Sequence, residues 1–371
     1  MAEKKLIGIG IIGAGFARTT QIPGFLNCEN TRVVAIASRT RQSAERVAGE
    51  FNIPIVADDW RKVVEHPDID LISIVTPPVT HAEMTFAALD AGKSVLCEKP
   101  MAMNAEEAKR MRRRAEERGA FAHIDHELRF LEGRRRMRAL IRNGEIGRVR
   151  HAKYLWRADS RSSPSLNWNW WSDEKQGGGA LGAIGSHAVD SFRWLLGAEV
   201  EQVFCSLQTH VRERAEAETG ETRKVTTDDE VNMLIRFIDN ELMKEATGAI
   251  SLSVVEPGEA AHRAEVFGER GALAVGEMGD LWSADVGAGK WTLVQEGSGE
   301  VAAGIPKDSG WGRGFTEFAQ RIVEALREGR GSVEGAATFE DGYRTQLVLD
   351  AARRSHEKGC WAKIETSRGN E

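Results

Sequence analysis

Short apolar runs alternate with helical patterns through the first 128 residues, and this alternation restricts the possible folds more than any other feature of the chain. The runs lie near residues 6–12, 32–37, 54–57, 69–75, 94–97 and 121–124. Thr80 and Asn104 each stand three residues before a glutamate, the spacing of a helix capping box. Strands that alternate with helices form a parallel, doubly wound sheet. We therefore predict an α/β domain over residues 1–128.

A different pattern begins near residue 129. After a helical stretch at 131–143, long extended runs follow near residues 148–158, 199–211, 231–239, 245–256, 263–275 and 290–295. Long strands joined by short turns favour an antiparallel sheet. Helical patterns return at 315–326 and 338–357, and the charged residues 212–230 are typical of a mobile loop. We predict a second, α+β domain over residues 129–371.

Composition limits the classes of partner and compartment. The formal net charge is -6, and the 50 lysines and arginines are interleaved with 56 acids, so we expect no nucleic-acid partner. Four widely separated cysteines indicate a reducing cytoplasm. We expect no membrane association, because no apolar run approaches the roughly 20 residues that span a bilayer. The nine histidines form no metal-ligand pattern, and we predict no metal site.

The first apolar run ends on a glycine turn. Gly13 and Gly15 flank an alanine, and Phe16 and Ala17 follow where the next helix begins. A glycine turn between a strand and a helix lets backbone amides approach a pyrophosphate, and the helix dipole favours that negative charge. The third small residue of the usual G-x-G-x-x-G motif is replaced by Arg18. The turn therefore predicts a dinucleotide cradle, with an ordinary strand-to-helix turn as the alternative.

The end of the second run predicts the choice of cofactor. NAD-selective folds carry an acid about 20 residues after the glycine turn, but here the run ends on Ser38 and Arg39. A hydroxyl followed by a guanidinium suits a ribose 2'-phosphate. We predict that NADP is preferred over NAD, with the alternative that Arg39 is solvated and stacks on adenine.

Two further segments are expected at the carboxyl edge of the parallel sheet, where such sheets bind ligands. Thr76 and Pro77 begin a rigid loop that leads to His81, and the run 94–97 ends on Glu98 and Lys99. We predict that all five residues contact the cofactor, with packing or capping as the alternative for His81. A phosphate cradle and a cation at one edge together indicate a nicotinamide-dependent redox enzyme.

These motifs resemble the glucose-fructose oxidoreductase / inositol dehydrogenase / MocA family. The glycine run at 177–179 that leads to His187, and the segment 339–342, complete a resemblance that covers essentially the whole chain. The resemblance implies a Rossmann domain, a second domain with an open antiparallel sheet, substrate between them, and hydride transfer involving sugars or cyclitols. Lys99 and His187 match the family's active-site pair. Arg129 and Arg157 match positions that contact cofactor or brace the domain junction, with a structural salt bridge as the alternative for each.

The chemistry of hydride transfer suggests separate roles for the matched residues. An imidazole can take the hydroxyl proton at neutral pH, which suits His187. Lys99 can stabilise the alkoxide charge. Family members commonly carry an aspartate four residues before this histidine, and here that position is Ala183. Either Asp190 supports His187 or the substrate differs from simple polyols, while Asp190 can equally cap or pack its helix.

The tryptophans and the second sheet leave the substrate and assembly open. Trp168, Trp170 and Trp171 precede the glycine run and can line a carbohydrate pocket or act as core anchors. The face of the antiparallel sheet is available to build a homodimer or homotetramer. Two functional alternatives remain, namely hydrolysis or elimination through transient oxidation, and a regulator that binds the dinucleotide without turnover.

Overall fold

The computed structural model describes residues 5–365. The chain forms two compact units: the first covers the chain up to Leu131 together with Gly299–Tyr343, and the second covers Glu132–Ser298 together with the chain from Arg344 onward. The strands, in chain order, are β1 Ile7–Ile12, β2 Thr31–Ala37, β3 Ile55–Ala57, β4 Leu71–Ile74, β5 Ser94–Cys97, β6 Ala122–Ile124, β7 Val149–Arg157, β8 Val200–Gln208, β9 Glu213–Ala215, β10 Thr222–Lys224, β11 Glu230–Phe237, β12 Met243–Ser253, β13 Ala261–Gly268, β14 Gly271–Gly276, β15 Leu281–Asp285, β16 Thr292–Gln295, β17 Ala337–Thr338 and β18 Ala362–Lys363.

The α-helices connect and cover these strands. In chain order they are α1 Ile22–Leu26, α2 Arg41–Phe51, α3 Trp60–Glu65, α4 His81–Asp90, α5 Ala105–Arg118, α6 Glu132–Arg142, α7 Ser186–Leu196, α8 Gly310–Arg327 and α9 Phe339–Lys358. A π-helical turn at Ala17–Gln21 runs directly into α1, and another at Leu181–Gly185 runs into α7.

The first unit is built on a seven-stranded sheet with the order β17-β6-β5-β4-β1-β2-β3. All neighbouring pairs are parallel except β17 with β6. Every residue of β1 is buried, as expected for a parallel strand that is covered on both faces. The structure confirms the predicted doubly wound sheet, and each predicted strand falls within two residues of an observed one.

The segment 299–343 belongs to the first unit, whereas the sequence assigned it to the second domain. Its helix α8 inserts Phe315 and Phe318 into the first core. The Phe315 ring meets Phe25 edge-on at 5.3 Å between centroids, and Phe318 stacks on Phe130 at 4.4 Å. The apolar face of α8 is visible in the sequence, but its partner is distant in the chain. The first unit also extends to Leu131 rather than ending at residue 128.

The second unit contains a nine-stranded sheet with the order β16-β15-β14-β13-β7-β12-β11-β8-β18. The β7–β12 pair is parallel and the other neighbours are antiparallel. Along β11, buried and exposed residues alternate, so one face of the sheet packs on a core and the other is open. Helices α6 and α7 and the C-terminal part of α9 contribute to that core. The prediction of a mainly antiparallel second domain is confirmed.

Two details of the second unit differ from the prediction. The charged residues 212–230 hold the hairpin β9–β10 instead of a structureless loop. The hairpin is tied to the preceding segment, because Arg214 donates to the main-chain carbonyls of Arg161 and Ser163. The extended run 263–275 is two antiparallel strands, β13 and β14, because the chain reverses between Gly268 and Gly271.

Candidate functional site

The turn after β1 has the geometry of a phosphate cradle. Gly13 has a φ of +111°, and a Cβ there would lie 2.2 Å from the carbonyl oxygen of Val75. Only glycine fits that position. Gly15 is exposed at the start of the next helix, and a Cβ there would meet nothing within 4 Å. Because the helix start is open and the first N–H groups of a helix have no intrahelical partner, the turn fits a dinucleotide pyrophosphate.

The predicted residues that follow continue this helix. Phe16 is already helical, with a φ of -62° and a ψ of -30°, and Ala17 is buried in the π-helical turn. Arg18, which replaces the usual third small residue, turns to the surface and pairs with Glu50 at 2.6 Å. The substitution therefore leaves the strand-turn-helix geometry in place.

The end of β2 presents an arginine side chain, Arg39, whose guanidinium group is open to solvent. Thr40 caps α2 by accepting a hydrogen bond from the Ser43 main-chain N–H, and Arg41 pairs with Glu45 at 2.7 Å. Ser38 is half-buried and Arg39 is exposed. In the part of the chain that the structure describes, Arg39 makes no hydrogen bond or ion pair. Its charge is therefore available to a ligand.

His81 is enclosed between two loops. The ring is fully buried, with Nε2 2.8 Å from the carbonyl oxygen of Thr76 and Nδ1 3.1 Å from that of Pro100. Burial lowers the pKa of His81. The imidazole thus joins the loop that begins with Thr76 and Pro77 to the turn after β5. This geometry matches the packing alternative for His81, and its contact with a cofactor stays a prediction.

The turn after β5 places its two ionisable residues differently. Glu98 is 7% exposed and faces inward, where its Oε1 accepts a hydrogen bond of 2.8 Å from Gln21. Lys99 is half-buried and precedes a cis peptide bond to Pro100. Because β1, β4 and β5 are adjacent and parallel, their carboxyl ends lie side by side. The first unit thus brings the glycine turn, the Thr76 loop and Lys99 to one edge.

Two buried polar residues at this edge were not predicted. Gln21 and Asp125 are both fully buried, and the Gln21 amide donates to Asp125 Oδ2 at 2.7 Å. In the sequence, Gln21 stands out as a polar residue beside the apolar helix α1, and Asp125 as an acid directly after β6. Arg129, also buried, pairs with Asp341 at 3.3 Å, which agrees with a structural salt bridge, and its contact with a cofactor stays a prediction.

In the second unit, the glycine run leads into a buried helix. Gly179 has a φ of +105° and is followed by the π-helical turn that contains Ala183. Every residue of α7 is buried, including His187 at 1% exposure and Asp190 at 2%. These two residues are three positions apart and so share a helix face. Ala183 packs against the core of the unit.

A half-buried acid, Asp228, that the sequence did not reveal anchors this turn. Asp228 Oδ2 accepts a hydrogen bond of 2.6 Å from the Leu181 main-chain N–H, and the Asp228 carbonyl oxygen accepts one of 3.0 Å from Ala180. Burial raises the pKa of Asp228 to about 6. The position follows two threonines in a charged segment, and nothing in that pattern distinguishes it from a surface acid.

The remaining predicted residues make contacts within the second unit. The Trp168 indole donates to the Lys224 carbonyl at 3.1 Å, and the Arg223 guanidinium stacks 3.5 Å from the ring centroid. Arg157 donates to the Glu259 carbonyl at 2.9 Å. Trp170 is half-buried in a short 3₁₀ turn. These contacts give structural reasons for Trp168 and Arg157, and their roles toward ligands stay predictions.

Among residues 5–365, no cluster of three or more histidine, cysteine, aspartate or glutamate side chains is arranged to hold a metal ion. No helix in the same range has the length and hydropathy needed to cross a membrane.

Comparison with family models agrees with this architecture. Residues 7–126 match the model described as an oxidoreductase family with an NAD-binding Rossmann fold. Residues 134–274 match the model of the GFO/IDH/MocA C-terminal domain. The two matches together cover most of the chain and divide it close to the junction between the two units.

Individual relatives align over nearly the whole chain. Glucose-fructose oxidoreductase domain-containing protein 2 of Bos taurus is 31% identical over 98% of this chain and 94% of its own length. Levoglucosan dehydrogenase of Pseudarthrobacter phenanthrenivorans is 29% identical over 96% and 98%. A solved structure of levoglucosan dehydrogenase in complex with NADH and L-sorbose has a TM-score of 0.86 and 27% identity, covering 98% of this chain and 100% of that one.

Proposed function

The chain belongs to the GFO/IDH/MocA family of NAD-binding oxidoreductases, and we propose that it transfers hydride between a nicotinamide dinucleotide and a secondary alcohol or ketone of a carbohydrate-like compound. The observation that carries this proposal is the shared sheet edge of Lys99 and the glycine turn at residues 13–15. Relatives named levoglucosan dehydrogenase support a carbohydrate-like substrate.

The proposed roles of the chain's own residues follow from where negative charge and the hydroxyl proton go during hydride transfer. A bound dinucleotide supplies the hydride acceptor or donor at its nicotinamide ring. Gly13 and Gly15 hold the pyrophosphate at the helix start. Lys99 donates a hydrogen bond to the reacting oxygen and stabilises negative charge on it. His187 takes the hydroxyl proton during oxidation and returns it during reduction.

The proposed cofactor preference is NADP. The support is local: β2 ends without an acid, and Arg39 is exposed and uncommitted among the described residues. A guanidinium recognises a phosphate through paired, charge-assisted hydrogen bonds. The solved levoglucosan dehydrogenase complexes hold NADH, so the proposal distinguishes this chain from that relative.

The proposed assembly is a homodimer or homotetramer that uses the open face of the nine-stranded sheet. This face exposes Leu155 and Leu234 at 38% and 51%, next to Phe204. Lys153 and the Arg263–Glu265 ion pair flank the apolar residues, and such a mixed polar rim can meet its own copy in a two-fold arrangement. Light scattering at several concentrations tests this, and Leu234→Glu is expected to shift the mass toward the monomer.

The proposed compartment is the cytoplasm. All four cysteines are free thiols, and Cys28, Cys97 and Cys205 are buried. Free buried thiols are typical of proteins that stay in a reducing environment.

A substrate screen tests the proposed reaction. Monosaccharides, anhydrosugars, disaccharides, cyclitols and their keto forms are incubated with NAD(H) and NADP(H), and the nicotinamide absorbance is followed. We expect net reduction or oxidation with at least one compound of this class. Cleavage of a glycoside without net redox change would instead indicate a hydrolase or lyase. Tight dinucleotide binding without any turnover would indicate a sensor.

A further inference from the structure

A buried polar cluster lies directly beneath the turn that carries Lys99. It consists of Gln21, Ser73, Glu98 and Asp125, which we call the carboxyl cluster. Gln21, Ser73 and Asp125 are fully buried. The cluster gathers residues from the helix after β1, from β4, and from the ends of β5 and β6. It therefore connects the elements that follow or form four neighbouring strands of the sheet, β1, β4, β5 and β6.

The hydrogen bonds of the cluster fix the orientation of each group. The Ser73 hydroxyl donates to Gln21 Oε1, and the two carboxyl groups lie at the nitrogen end of that amide. Gln21 Nε2 then donates to Glu98 Oε1 at 2.8 Å and to Asp125 Oδ2 at 2.7 Å. Both amide hydrogens are used, one on each carboxyl group. Gln21 thus holds the two acids side by side.

The two acids require a shared proton. Glu98 Oε1 and Asp125 Oδ2 accept hydrogen bonds from the same Gln21 nitrogen, at 2.8 and 2.7 Å, so the two carboxyl groups lie close together in a buried site where two negative charges repel. A proton on one of the two removes this repulsion. Burial raises the pKa of Glu98, but the Lys99 charge opposes that shift, and Glu98 Oε2 accepts the Lys99 main-chain N–H at 3.3 Å. The proton accordingly belongs on Asp125.

The surroundings of Asp125 reinforce this assignment. Burial, followed by the negative charges of Glu127 and Glu98, raises the pKa of Asp125 well above its ordinary range. The other ionisable neighbour is the Cys97 thiol, whose pKa is raised by burial and by Glu98. None of these three neighbours, Glu127, Glu98 and Cys97, carries a positive charge that would favour ionised Asp125.

We propose that Asp125 is a positioning residue, whose protonated carboxyl group fixes Glu98 and thereby the turn that presents Lys99. The inference rests on the proposed role of Lys99 in hydride transfer. When Asp125 loses its proton, two carboxylates face each other in a buried site and repel. The Glu98–Lys99 turn then shifts, and both dinucleotide binding and turnover fall at alkaline pH.

Three variants test the shared proton. Asp125→Asn keeps the shape and a donor toward Glu98 but cannot ionise, so it should remove the alkaline loss. Asp125→Leu has similar size without hydrogen bonds, so it should be impaired at every pH. Glu127→Gln removes one of the charges that hold the proton on Asp125, so its alkaline loss should begin at lower pH than in the wild type.

The measurements separate this proposal from the proposed reaction. The Kd for NADPH and for NADH is followed by fluorescence from neutral to alkaline pH, together with kcat/KM for any substrate that the screen identifies. The Tm of the ligand-free chain is recorded at the same pH values. We expect the wild-type Kd to rise about tenfold per pH unit above the transition, and the Asp125→Asn value to stay flat.

The Tm profile needs neither substrate nor cofactor, so it reports the shared proton even if the chain is not a dehydrogenase. Identical pH profiles of Kd and Tm in the wild type and Asp125→Asn would overturn the assignment of the proton. Wild-type binding and turnover in a folded Asp125→Leu variant would overturn the positioning role. A flat Kd for Asp125→Asn together with an earlier transition for Glu127→Gln supports both.

Discussion

The Leu181 main-chain N–H donates to Asp228 Oδ2 at 2.6 Å, and this bond holds the glycine turn that precedes the helix of His187. The other carboxylate oxygen lies against Gly179, where a Cβ would be 2.6 Å from Asp228 Oδ1. The turn thus depends on an acid that approaches the backbone and on a glycine that leaves room for it. A change on either side is transmitted to α7.

Gly179→Ala should destabilise the second unit and lower turnover. The residue would have to keep a φ of +105° and displace the Asp228 carboxylate. We expect a loss of about 3 kcal/mol, since an unfavourable backbone conformation costs about 1–3 kcal/mol before any steric clash. Gly258→Ala is the matched control, because its φ is +119° and a Cβ there meets nothing within 4 Å. Urea unfolding that gives equal losses for both variants would contradict the role of the Asp228 contact.

Because of Asp228, the free energy of unfolding should decrease as the pH rises from about 4 to about 6. Its folded pKa of about 6 lies above that of an unfolded aspartate, so across this window the folded chain keeps a proton that the unfolded chain releases. Two pH units correspond to about 3 kcal/mol. Asp228→Asn removes this titration. Relative to the variant, the wild type should lose that amount between pH 4 and 7 in urea unfolding, and parallel profiles would refute the assignment.

The parallel strands of the first unit could be predicted because each is a short, fully buried apolar run between helical patterns. Their carboxyl ends carry Gly15, Thr76 and Lys99. The carboxyl ends of parallel strands meet at the ligand-binding edge of a sheet, and this was enough to place the three residues together. Helix α8 was predicted from the spacing of Phe315 and Phe318. Its assignment to the first unit was not, since the partner rings Phe25 and Phe130 are far away in the chain.

Buried polar partners were the part of the site that the sequence concealed. Gln21 and Asp125 are 104 positions apart. Gln21 follows β1 and Asp125 follows β6, and the strand order β6-β5-β4-β1 brings the two ends to the same edge of the sheet. Asp228 lies among threonines and acids that resemble a surface loop. A single sequence shows which residues are polar, but burial and pairing are fixed by the tertiary structure.

Lys99→Ala and His187→Ala should each lower kcat, and His187→Ala should leave the Kd for the dinucleotide nearly unchanged. Removing a charged donor from the reacting oxygen costs about 10²–10³ in kcat, and loss of a general base costs about 10²–10⁴. Lys99→Arg is the companion that keeps the charge and changes its shape. Steady-state kinetics and dinucleotide titration check this, and near-normal turnover in either alanine variant would refute its role. Ala183→Asp shows whether a carboxylate at that position alters the substrate range.

Arg39→Ala should lower kcat/KM for NADP and leave that for NAD nearly unchanged. A charge-assisted hydrogen bond to a phosphate contributes about 1.5–3 kcal/mol, equivalent to about 10–100-fold. Arg41→Ala is the neighbouring control, because Arg41 is already paired with Glu45. Kinetics with both cofactors distinguish the outcomes. A selectivity ratio that does not move in Arg39→Ala would mean that this guanidinium does not read the 2'-phosphate.

Gly15→Val should weaken dinucleotide binding without unfolding the chain. A Cβ at Gly15 meets nothing within 4 Å, so the added side chain occupies only the space above the helix start, where a pyrophosphate has to approach the backbone. We expect the Kd for NADPH to rise about tenfold or more, equivalent to about 1.4 kcal/mol, with an unchanged urea unfolding curve. Gly13→Ala provides the contrast, because its Cβ would collide with the Val75 carbonyl oxygen and should destabilise the fold itself. Wild-type affinity in Gly15→Val would show that the dinucleotide is bound elsewhere.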